Sequence, residues 1–421
     1  MTDPDLGLGE GDRVEVVVEA PAHGGHCVAR LDGRVLFVRH ALPGERVTAE
    51  ITEVHRTFVR ADAIEIHEPS PDRVEPPCPY AHPGGCGGCD LQHVASDAQL
   101  RWKAAVVAEQ LRRLAKTSFP VRVEALPNAG SPLLGWRSRV RYAVDAAGRA
   151  GLLQHRSHQV VPIDRCRIAH PAIQRLDLLS RQWPDDDAIE VTASTGGDLA
   201  VLTRPAGGGR LPEDDPADTA SAAGRRKRLA GPDEVAEEAV GRRWSVPPEG
   251  FWQVHPAAAD TLAAAVVELL RPAEGETAWD LYGGAGLFAA AVAAHTRARI
   301  TLVESSPVGC AAARANLTDL PTVEVVEARV ETALQRRRIT GPVDLVVLDP
   351  PRAGAGARVV RGIAGARPRA VAYVACDPAA LARDVGTFLG LGWRLTDLRA
   401  FDCFPMTQHV ECVALLEPAG A

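Results

Sequence analysis

The sequence predicts an α/β protein with a doubly wound parallel sheet in its C-terminal part, preceded by a small β-barrel and an α+β segment. Three observations lead to this prediction. Residues 11–66 alternate apolar and polar in short runs, residues 68–92 are rich in proline, glycine and cysteine, and from residue 249 helices alternate with short apolar strands. A chain of 421 residues has room for two or three hydrophobic cores. We therefore expect domains at 1–67, 68–248 and 249–421.

The first predicted domain, residues 1–67, has the pattern of a small all-β barrel of the OB type. Runs such as Arg13–Glu19 and Gly33–Val38 alternate with a period of two, and glycine and proline separate them. Barrels of this type often bind oligonucleotides, but the pattern alone fits many roles.

The second predicted domain, residues 68–248, begins with a loop that is not built around a hydrophobic core. A helix over 96–115 follows, and short strands are expected from 135 to about 203. The low complexity of residues 205–240 predicts a solvated, partly disordered insertion. Its basic run Arg225–Arg228 could touch RNA phosphates or be an ordinary solvated loop.

The third predicted domain, residues 249–421, carries the doubly wound sheet. Ala257–Leu270 has helical spacing. Continuous apolar runs predict strands that are buried on both faces, as in a parallel sheet. These runs are Thr277–Tyr282, Ile300–Val303, Val343–Leu348 and Ala370–Ala375.

Ligands of such sheets bind beyond the carboxyl ends of the strands, where several candidate residues fall. Gly283, Gly284 and Gly286 follow the first strand, and Glu304 ends the second strand, where a carboxylate can accept both ribose hydroxyls. The glycine turn alone also fits an NAD-dependent oxidoreductase. The motif Asp349-Pro-Pro-Arg352 instead favours a methyl donor beside a planar base, because two prolines form a stiff wall.

These motifs, taken in order, resemble the S-adenosylmethionine-dependent RNA uracil-C5 methyltransferases, which make 5-methyluridine in tRNA and rRNA. The resemblance covers most of the chain and includes an N-terminal RNA-binding TRAM barrel and an iron–sulfur motif. The matching segments are Phe251-Trp-Gln-Val-His255, Asp280-Leu-Tyr-Gly-Gly-Ala-Gly286, Asp349-Pro-Pro-Arg-Ala-Gly354, Tyr373-Val-Ala-Cys-Asp-Pro378 and Asp402-Cys-Phe-Pro-Met-Thr-Gln-His-Val-Glu411.

The resemblance implies a role for each matching residue. Cys376 aligns with the nucleophile and Glu411 with the general base, and the target nucleotide must be flipped out to reach them. The implied cofactor contacts are Gln253, Tyr282, Glu304 and Asp349. Gly283 and His255 depart from the family, which often has cysteine and asparagine at these positions.

Four of the nine cysteines are the predicted ligands of a metal group. Cys78, Cys86 and Cys89 lie in one loop, and Cys166 matches the fourth ligand of the family. The resemblance favours a [4Fe-4S] cluster, although structural zinc would accept the same four thiolates. Cys27, Cys310, Cys403 and Cys412 are expected to be packing residues.

Arg137, Arg139 and Arg141 alternate along one predicted strand, with Trp136 and Tyr142 at its ends. This pattern suits phosphate contact with base stacking, and it equally suits a solvated strand face.

Composition and charge bound the remaining expectations. The acidic N-terminus and the absence of a long apolar run predict a cytoplasmic protein without a membrane span, and we expect a monomer. The net charge of −7 is only weak evidence against RNA binding, which the family resemblance implies, because such binding depends on local patches of charge. Two rival interpretations are methylation of another nucleic-acid or protein target and a non-catalytic RNA-binding protein.

Overall fold

The computed structural model describes residues 7–127, 131, 133–206 and 226–420. Five strands at the N-terminus close into a barrel in the order β1-β2-β3-β5-β4. Their inward side chains, such as Val16, Val18 and Leu36, are buried. The predicted barrel is confirmed. The strands are β1 (Arg13–Ala22), β2 (His26–Leu31), β3 (Arg34–Arg39), β4 (Arg46–Val54) and β5 (Phe58–Glu68).

The helix predicted at 96–115 is α1 (Ser96–Gln110), which continues as a π-helical turn over Leu111–Ala115. Trp102 and Val106 pack into the barrel core, whereas Val107 and Leu111 pack against the C-terminal sheet. This helix therefore joins two hydrophobic cores.

The middle of the chain contains a six-stranded sheet in the order β12-β11-β10-β7-β8-β9 and the two-stranded sheet β13-β14. The preceding strand β6 instead pairs with the C-terminal sheet. The elements are β6 (Val123–Ala125), β7 (Arg139–Val144), β8 (Ala150–Leu153), β9 (Val160–Pro162), α2 (Pro171–Gln174), β10 (Asp186–Ala193), β11 (Leu199–Pro205), β12 (Lys227–Ala230), β13 (Val235–Ala239) and β14 (Arg242–Val246).

The described part of the predicted low-complexity insertion at 205–240 is ordered. Residues 207–225, including Arg225 of the basic run, lie outside the described residues. The rest of the segment includes β12 and β13, and Val235, Ala236 and Glu237 are buried. Arg226 and Arg228 of the basic run pair with Glu190 and Asp233. Cross-strand pairing fixes these residues, which composition alone could not reveal.

The C-terminal sheet has the order β17-β16-β15-β18-β19-β21-β20-β6. Its first five strands are parallel, and β21 runs antiparallel to both neighbours. The doubly wound fold is confirmed, although β17, β20 and β21 were not foreseen. The elements are α3 (Ala258–Leu270), β15 (Ala278–Leu281), α4 (Leu287–Thr296), β16 (Ile300–Glu304), α5 (Pro307–Asn316), β17 (Val323–Glu327), α6 (Val330–Gln335), β18 (Leu345–Leu348), α7 (Gly356–Ala366), β19 (Ala370–Ala375), α8 (Pro378–Gly390), β20 (Trp393–Asp402) and β21 (Glu411–Pro418).

A buried ion pair fastens α1 to this sheet. Lys103 Nζ lies 2.5 Å from Asp402 Oδ1 and donates a second hydrogen bond to the Phe404 carbonyl at 3.0 Å. The two side chains are only 0 % and 2 % exposed. Such a pair is strongly destabilising to break, because the remaining charge stays buried without a partner. Among the described helices, none is long and apolar enough to cross a membrane.

We expect Lys103→Met to lower the free energy of unfolding by about 3–5 kcal/mol, because it leaves the Asp402 carboxylate buried and unpaired. Urea denaturation measures the change. Arg101→Met is the matched control: Arg101 is on the same helix, but its pair with Asp72 is exposed, so its loss is worth about 0–1 kcal/mol. Equal effects of the two substitutions would contradict the assigned role of the buried pair.

Candidate active site

The predicted site residues gather at the carboxyl edge of the C-terminal sheet. The parallel strands β15, β16, β18 and β19 end there, and the antiparallel strand β21 begins there. Ala375 pairs with Cys412, so the neighbouring residues Cys376 and Glu411 lie side by side at this edge. Tyr282, Glu304 and Asp349 follow or end the adjacent strands.

The glycine turn after β15 has the backbone geometry that close ligand approach requires. Gly286 has φ 98° and Tyr282 has φ 65°, both in the left-handed region that favours glycine. A Cβ on Gly283 would lie 2.5 Å from Leu302 Cγ. Leu302 thus fills the space that a side chain at position 283 would need. This explains why the chain has glycine at a position where the family often has cysteine.

Glu304 is held by the backbone around it. Its Oε1 accepts hydrogen bonds from the Ser305 and Ser306 amides at 2.6 Å each, and its Oε2 accepts one from the Gly284 amide at 3.0 Å. A carboxylate has about four acceptor positions, so Oε2 keeps one for a further donor. The carboxylate is therefore fixed in place and still able to bind a ribose hydroxyl.

Gln253 lies in a segment that is anchored on both sides. Trp252 packs on Trp244 with ring centroids 5.5 Å apart, and the Val254 carbonyl accepts hydrogen bonds from the amide and hydroxyl of Ser138, each at 2.8 Å. Gln253 itself is partly buried. The neighbouring His255 is buried and lies parallel to the Trp136 ring, so it is a packing residue of this segment.

Acidic groups dominate the electrostatics of the site. Burial raises the pKa of the Cys376 thiol, and Glu411 and Asp349 raise it further. Burial and the proximity of Asp349 raise the pKa of Glu411, and burial and Asp280 raise that of Asp349 to about 7. Arg352 acts in the opposite direction on both Cys376 and Glu411. A positive charge entering this pocket would lower all of these pKa values, so the pocket suits a cationic ligand.

The loop between β1 and β2 of the barrel contacts the segments that adjoin the two predicted catalytic residues, Cys376 and Glu411. His23 Nε2 lies 3.0 Å from Asp377 Oδ2, and Asp377 caps α8 by accepting the Ala380 amide at 2.7 Å. The next residue, Gly24, donates its amide to Gln408 Oε1 at 3.3 Å. Sequence reasoning missed His23, because nothing in a β-hairpin loop indicates a contact with a residue 354 positions away.

The loop between β20 and β21, residues 403–410, is also held from the cysteine segment. The Leu91 amide donates to the Met406 carbonyl at 2.9 Å, and Asp90 Oδ2 accepts the Gln408 amide at 3.2 Å. From α1, Gln99 Oε1 accepts the Met406 amide at 2.9 Å. The position of Glu411, which follows this loop, thus depends on three parts of the chain.

The four predicted metal ligands lie in connected segments. Tyr80 Oη donates to Asp164 Oδ1 at 3.0 Å, which ties the three-cysteine loop to the segment of Cys166. Burial, together with the charges of Cys166 and Cys78, raises the pKa of Cys86 to about 11. Across the described residues, however, no three metal-binding side chains are close enough to hold a metal ion. The thiols suit a thiolate-ligated group chemically but do not form a single-ion site in this arrangement.

The proposed stacking role of Trp136 and Tyr142 is wrong. Both rings are buried in the central core, at 1 % and 2 % exposure. Tyr142 faces inward from β7, and Trp136, which precedes β7, packs against His255 and Phe404. On the other face, Arg139 is held by Glu237 at 3.0 Å and by the Pro248 and Gly250 carbonyls. These contacts serve packing between the central sheet and its neighbours. Cys27, Cys310, Cys403 and Cys412 are buried, as expected.

The fold and the site together combine a small barrel with a doubly wound sheet that carries a glycine turn, a thiol and a buried carboxyl group at one edge. Residues 8–64 match the model of the TRAM domain, and residues 242–419 match that of the tRNA (Uracil-5-)-methyltransferase family. An uncharacterized RNA methyltransferase of Streptomyces avermitilis is 48 % identical, with 97 % of this chain and 99 % of that protein covered. One from Bifidobacterium longum is 38 % identical, with 96 % of both chains covered.

The chain therefore belongs to the S-adenosylmethionine-dependent RNA uracil-C5 methyltransferases. Its fold is also similar to a crystal structure of the Pyrococcus abyssi tRNA (uracil-54, C5)-methyltransferase in complex with S-adenosyl-L-homocysteine. The TM-score is 0.70 at 24 % identity, over 96 % of this chain and 100 % of that one. This likeness independently supports the arrangement of barrel, central region and doubly wound sheet.

Asp280 supplies a test of the acidic pocket. It is 1 % exposed, and burial with the nearby Glu304 raises its pKa from 3.8 to about 7. The folded state therefore holds this proton more tightly, and the stabilisation is lost as pH rises through about 7. We expect Asp280→Asn to gain stability relative to the wild type between about pH 4 and about pH 7, as measured by urea denaturation at each pH.

Asp319→Asn is the control for this titration. Asp319 is on the surface, and its hydrogen bond with Arg242 lowers its pKa below 3.8. The difference in free energy of unfolding between Asp319→Asn and the wild type should stay constant between about pH 5 and about pH 8. If the difference in free energy of unfolding between Asp280→Asn and the wild type does not change with pH, Asp280 is ionised throughout this range in the folded protein.

Proposed function

We propose that this enzyme methylates C5 of a specific uridine in tRNA or rRNA through a covalent bond between Cys376 and C6 of the uracil. The observation that carries the proposal is the pairing of β19 with β21, which sets the Cys376 thiol beside the Glu411 carboxyl group at the edge where the nucleoside turn lies. A hydride-transfer site has no evident use for this pair. Methylation of a protein amine would not need the thiol either.

S-adenosylmethionine, the proposed methyl donor, fits the residues at this edge. Glu304 offers a fixed acceptor for the ribose, and the glycine turn leaves open space at Gly284, where an added Cβ would meet nothing within 4 Å. Gln253, Tyr282 and Asp349 would complete the contacts. When bound, the cofactor supplies an electrophilic methyl group and a positive charge, which the surrounding carboxyl groups favour.

The protein residues would divide the chemistry between them. The Cys376 thiolate adds to C6, forming a C–S bond and moving the C5–C6 electron pair into an enolate that makes C5 nucleophilic. After C5 is methylated, Glu411 removes the C5 proton. The electron pair of that C–H bond restores the C5–C6 double bond, and the Cys376 thiolate leaves. The raised pKa of Glu411 suits a group that must hold a proton.

The test uses RNA labelled with tritium at uracil C5, taken from cells that lack the enzyme. We expect release of tritium that requires the cofactor, separately assayed with tRNA and rRNA. Cys376→Ala should reduce release by at least about a thousandfold while cofactor binding is retained. Glu411→Gln should instead accumulate a protein–RNA adduct that survives denaturation, because the base is needed only after addition.

Cys27→Ala is the control, since this thiol is buried in the barrel. Full turnover by Cys376→Ala would refute the covalent route. Methyl transfer to RNA without tritium release would move the reaction to another atom.

We further propose that Cys78, Cys86, Cys89 and Cys166 bind a [4Fe-4S] cluster, with structural zinc as the alternative. Support comes from the family resemblance, from the four unpaired thiols and from the electrostatic influence of Cys166 on Cys86 and Cys89. A [4Fe-4S] cluster and a tetrahedral zinc ion both accept four thiolates.

Purification without air should give a brown protein with about four irons and four sulfides per chain. Cys78→Ser should reduce both contents, whereas Cys310→Ser, at a buried position outside the loop, should not. A colourless protein with a single zinc per chain would refute the cluster. The cytoplasmic compartment and the monomeric state remain predictions.

A further inference from the structure

Tyr373 and Asp384 form a buried polar pair close to the active-site edge. Tyr373 belongs to β19, which ends just before Cys376, and Asp384 belongs to α8, which begins shortly after it. The two residues are 0 % and 4 % exposed, and the Tyr373 hydroxyl donates a hydrogen bond to Asp384 Oδ2 at 2.7 Å. A buried carboxylate is costly unless donors surround it, so its remaining partners show what it holds.

The pair makes its other hydrogen bonds to the connection between β18 and α7. Asp384 Oδ2 accepts the Ala355 amide at 2.8 Å, and Asp384 Oδ1 accepts the Gly356 amide at 3.1 Å. Tyr373 Oη also accepts the Ala355 amide, at 3.2 Å. These amides stand at the start of α7, where N–H groups have no partner within the helix. Asp384 therefore caps α7 and fixes the end of the loop that leads to it.

This loop, residues 349–354, has little conformational freedom of its own. It begins with two prolines, whose φ angles are fixed. The Gly354 amide donates to the Pro351 carbonyl at 2.8 Å, which closes a turn with Arg352 at its first central position. Gly354 has φ 89°, and an added Cβ would lie 2.8 Å from Asp384 Oδ2. The turn thus packs directly on the Asp384 carboxylate.

The turn carries Arg352 to the thiol and the base. Leu348 pairs with Tyr373, so the loop leaves the sheet beside the last residues of β19. Burial and the nearby carboxyl groups raise the pKa of the Cys376 thiol, whereas the charge of Arg352 lowers it. Burial also raises the pKa of Glu411, and Arg352 again acts in the opposite direction. A guanidinium held here favours the thiolate, which the carboxyl groups disfavour.

We propose that Tyr373 and Asp384 are positioning residues, which hold the loop 349–354 so that the Arg352 guanidinium stays beside Cys376 and Glu411. The inference rests on the proposed function, because it assumes that Cys376 reacts as a thiolate. Without the hydrogen bonds of the pair, the loop loses its fixed end at α7. The guanidinium then spreads over more positions and favours the thiolate less.

The test measures alkylation of Cys376 by iodoacetamide at about pH 8, by mass spectrometry of the peptide that contains it; the rate follows the thiolate fraction. Neither RNA nor cofactor is added. We expect Tyr373→Phe and Asp384→Asn to react about three- to tenfold more slowly than the wild type, because the thiolate is less favoured. Tyr142→Phe is the matched control, since Tyr142 is also a buried tyrosine but lies in the central core. Its rate should equal that of the wild type.

Arg352→Gln shows whether the pair acts through Arg352. This substitution should slow alkylation at least as much as Tyr373→Phe does, and combining the two should have little further effect. Fully multiplicative effects would overturn the proposal. Faster alkylation in Tyr373→Phe would overturn it too, because removing a pair that only stabilises the fold exposes the thiol. An unchanged rate in Tyr373→Phe, which keeps the volume of the ring, would also overturn it.

The alkylation assay is independent of the proposed reaction, because it uses neither RNA nor S-adenosylmethionine. Slow alkylation of Tyr373→Phe, with no methyl transfer to RNA by the wild type, would uphold the positioning role and refute the proposed function. Methylation of uracil C5 by the wild type, with unchanged alkylation of Tyr373→Phe, would refute the positioning role alone.

Discussion

The buried ion pair between Lys103 and Asp402 is the contact on which the arrangement of the catalytic edge depends. Asp402 ends β20, and the loop that follows it leads directly to Glu411. Lys103 fixes the start of this loop, Gln99 and Leu91 hold Met406, and Asp90 and Gly24 hold Gln408. Because neither charge can reach water, the helix and the loop can separate only with a large loss of free energy.

The electrostatic character of the pocket follows from its place at the edge of a parallel sheet. Asp280 and Glu411 are buried and Asp349 is half-buried, and each raises the pKa of a neighbour. Without a ligand, this clustering disfavours ionisation of the thiol and of the carboxyl groups. A sulfonium compound is distinguished from its neutral product by one positive charge, so the same clustering would bind the donor in preference to the product.

Much of the fold could be predicted from the sequence because its signals are local. Alternation of apolar and polar residues with a period of two predicted the barrel. Continuous apolar runs predicted four of the parallel strands, which lie before Gly283, Glu304, Asp349 and Cys376. Strand β20 was not predicted because Arg394, Asp397 and Arg399 interrupt its apolar residues. Strand β21 has a continuous apolar run, Cys412–Leu416, that was not assigned to a strand. Cys376 and Glu411 are recognisable from their motifs, but their pairing depends on β21 lying next to β19, which no local pattern encodes.

Contacts between segments that are far apart in the chain could not be predicted from the sequence, for the same reason. His23 and Lys103 contact partners that lie 354 and 299 positions away in the chain. Trp136 and Tyr142 were expected to stack on bases, but both are buried, because alternation tells which residues share a face and not which face is buried.

The short strand β6 has a consequence for how this enzyme could have been assembled in evolution. It comes from the middle of the chain, yet it covers the free edge of β20 in the C-terminal sheet. A chain starting at residue 249 would leave the hydrogen-bonding groups of β20 open to pairing with other molecules. The methyl-transferring portion is therefore not a module that can be cut at its first helix and joined to a new RNA-binding partner. An exchange of modules would have to carry α1 and β6 along with it.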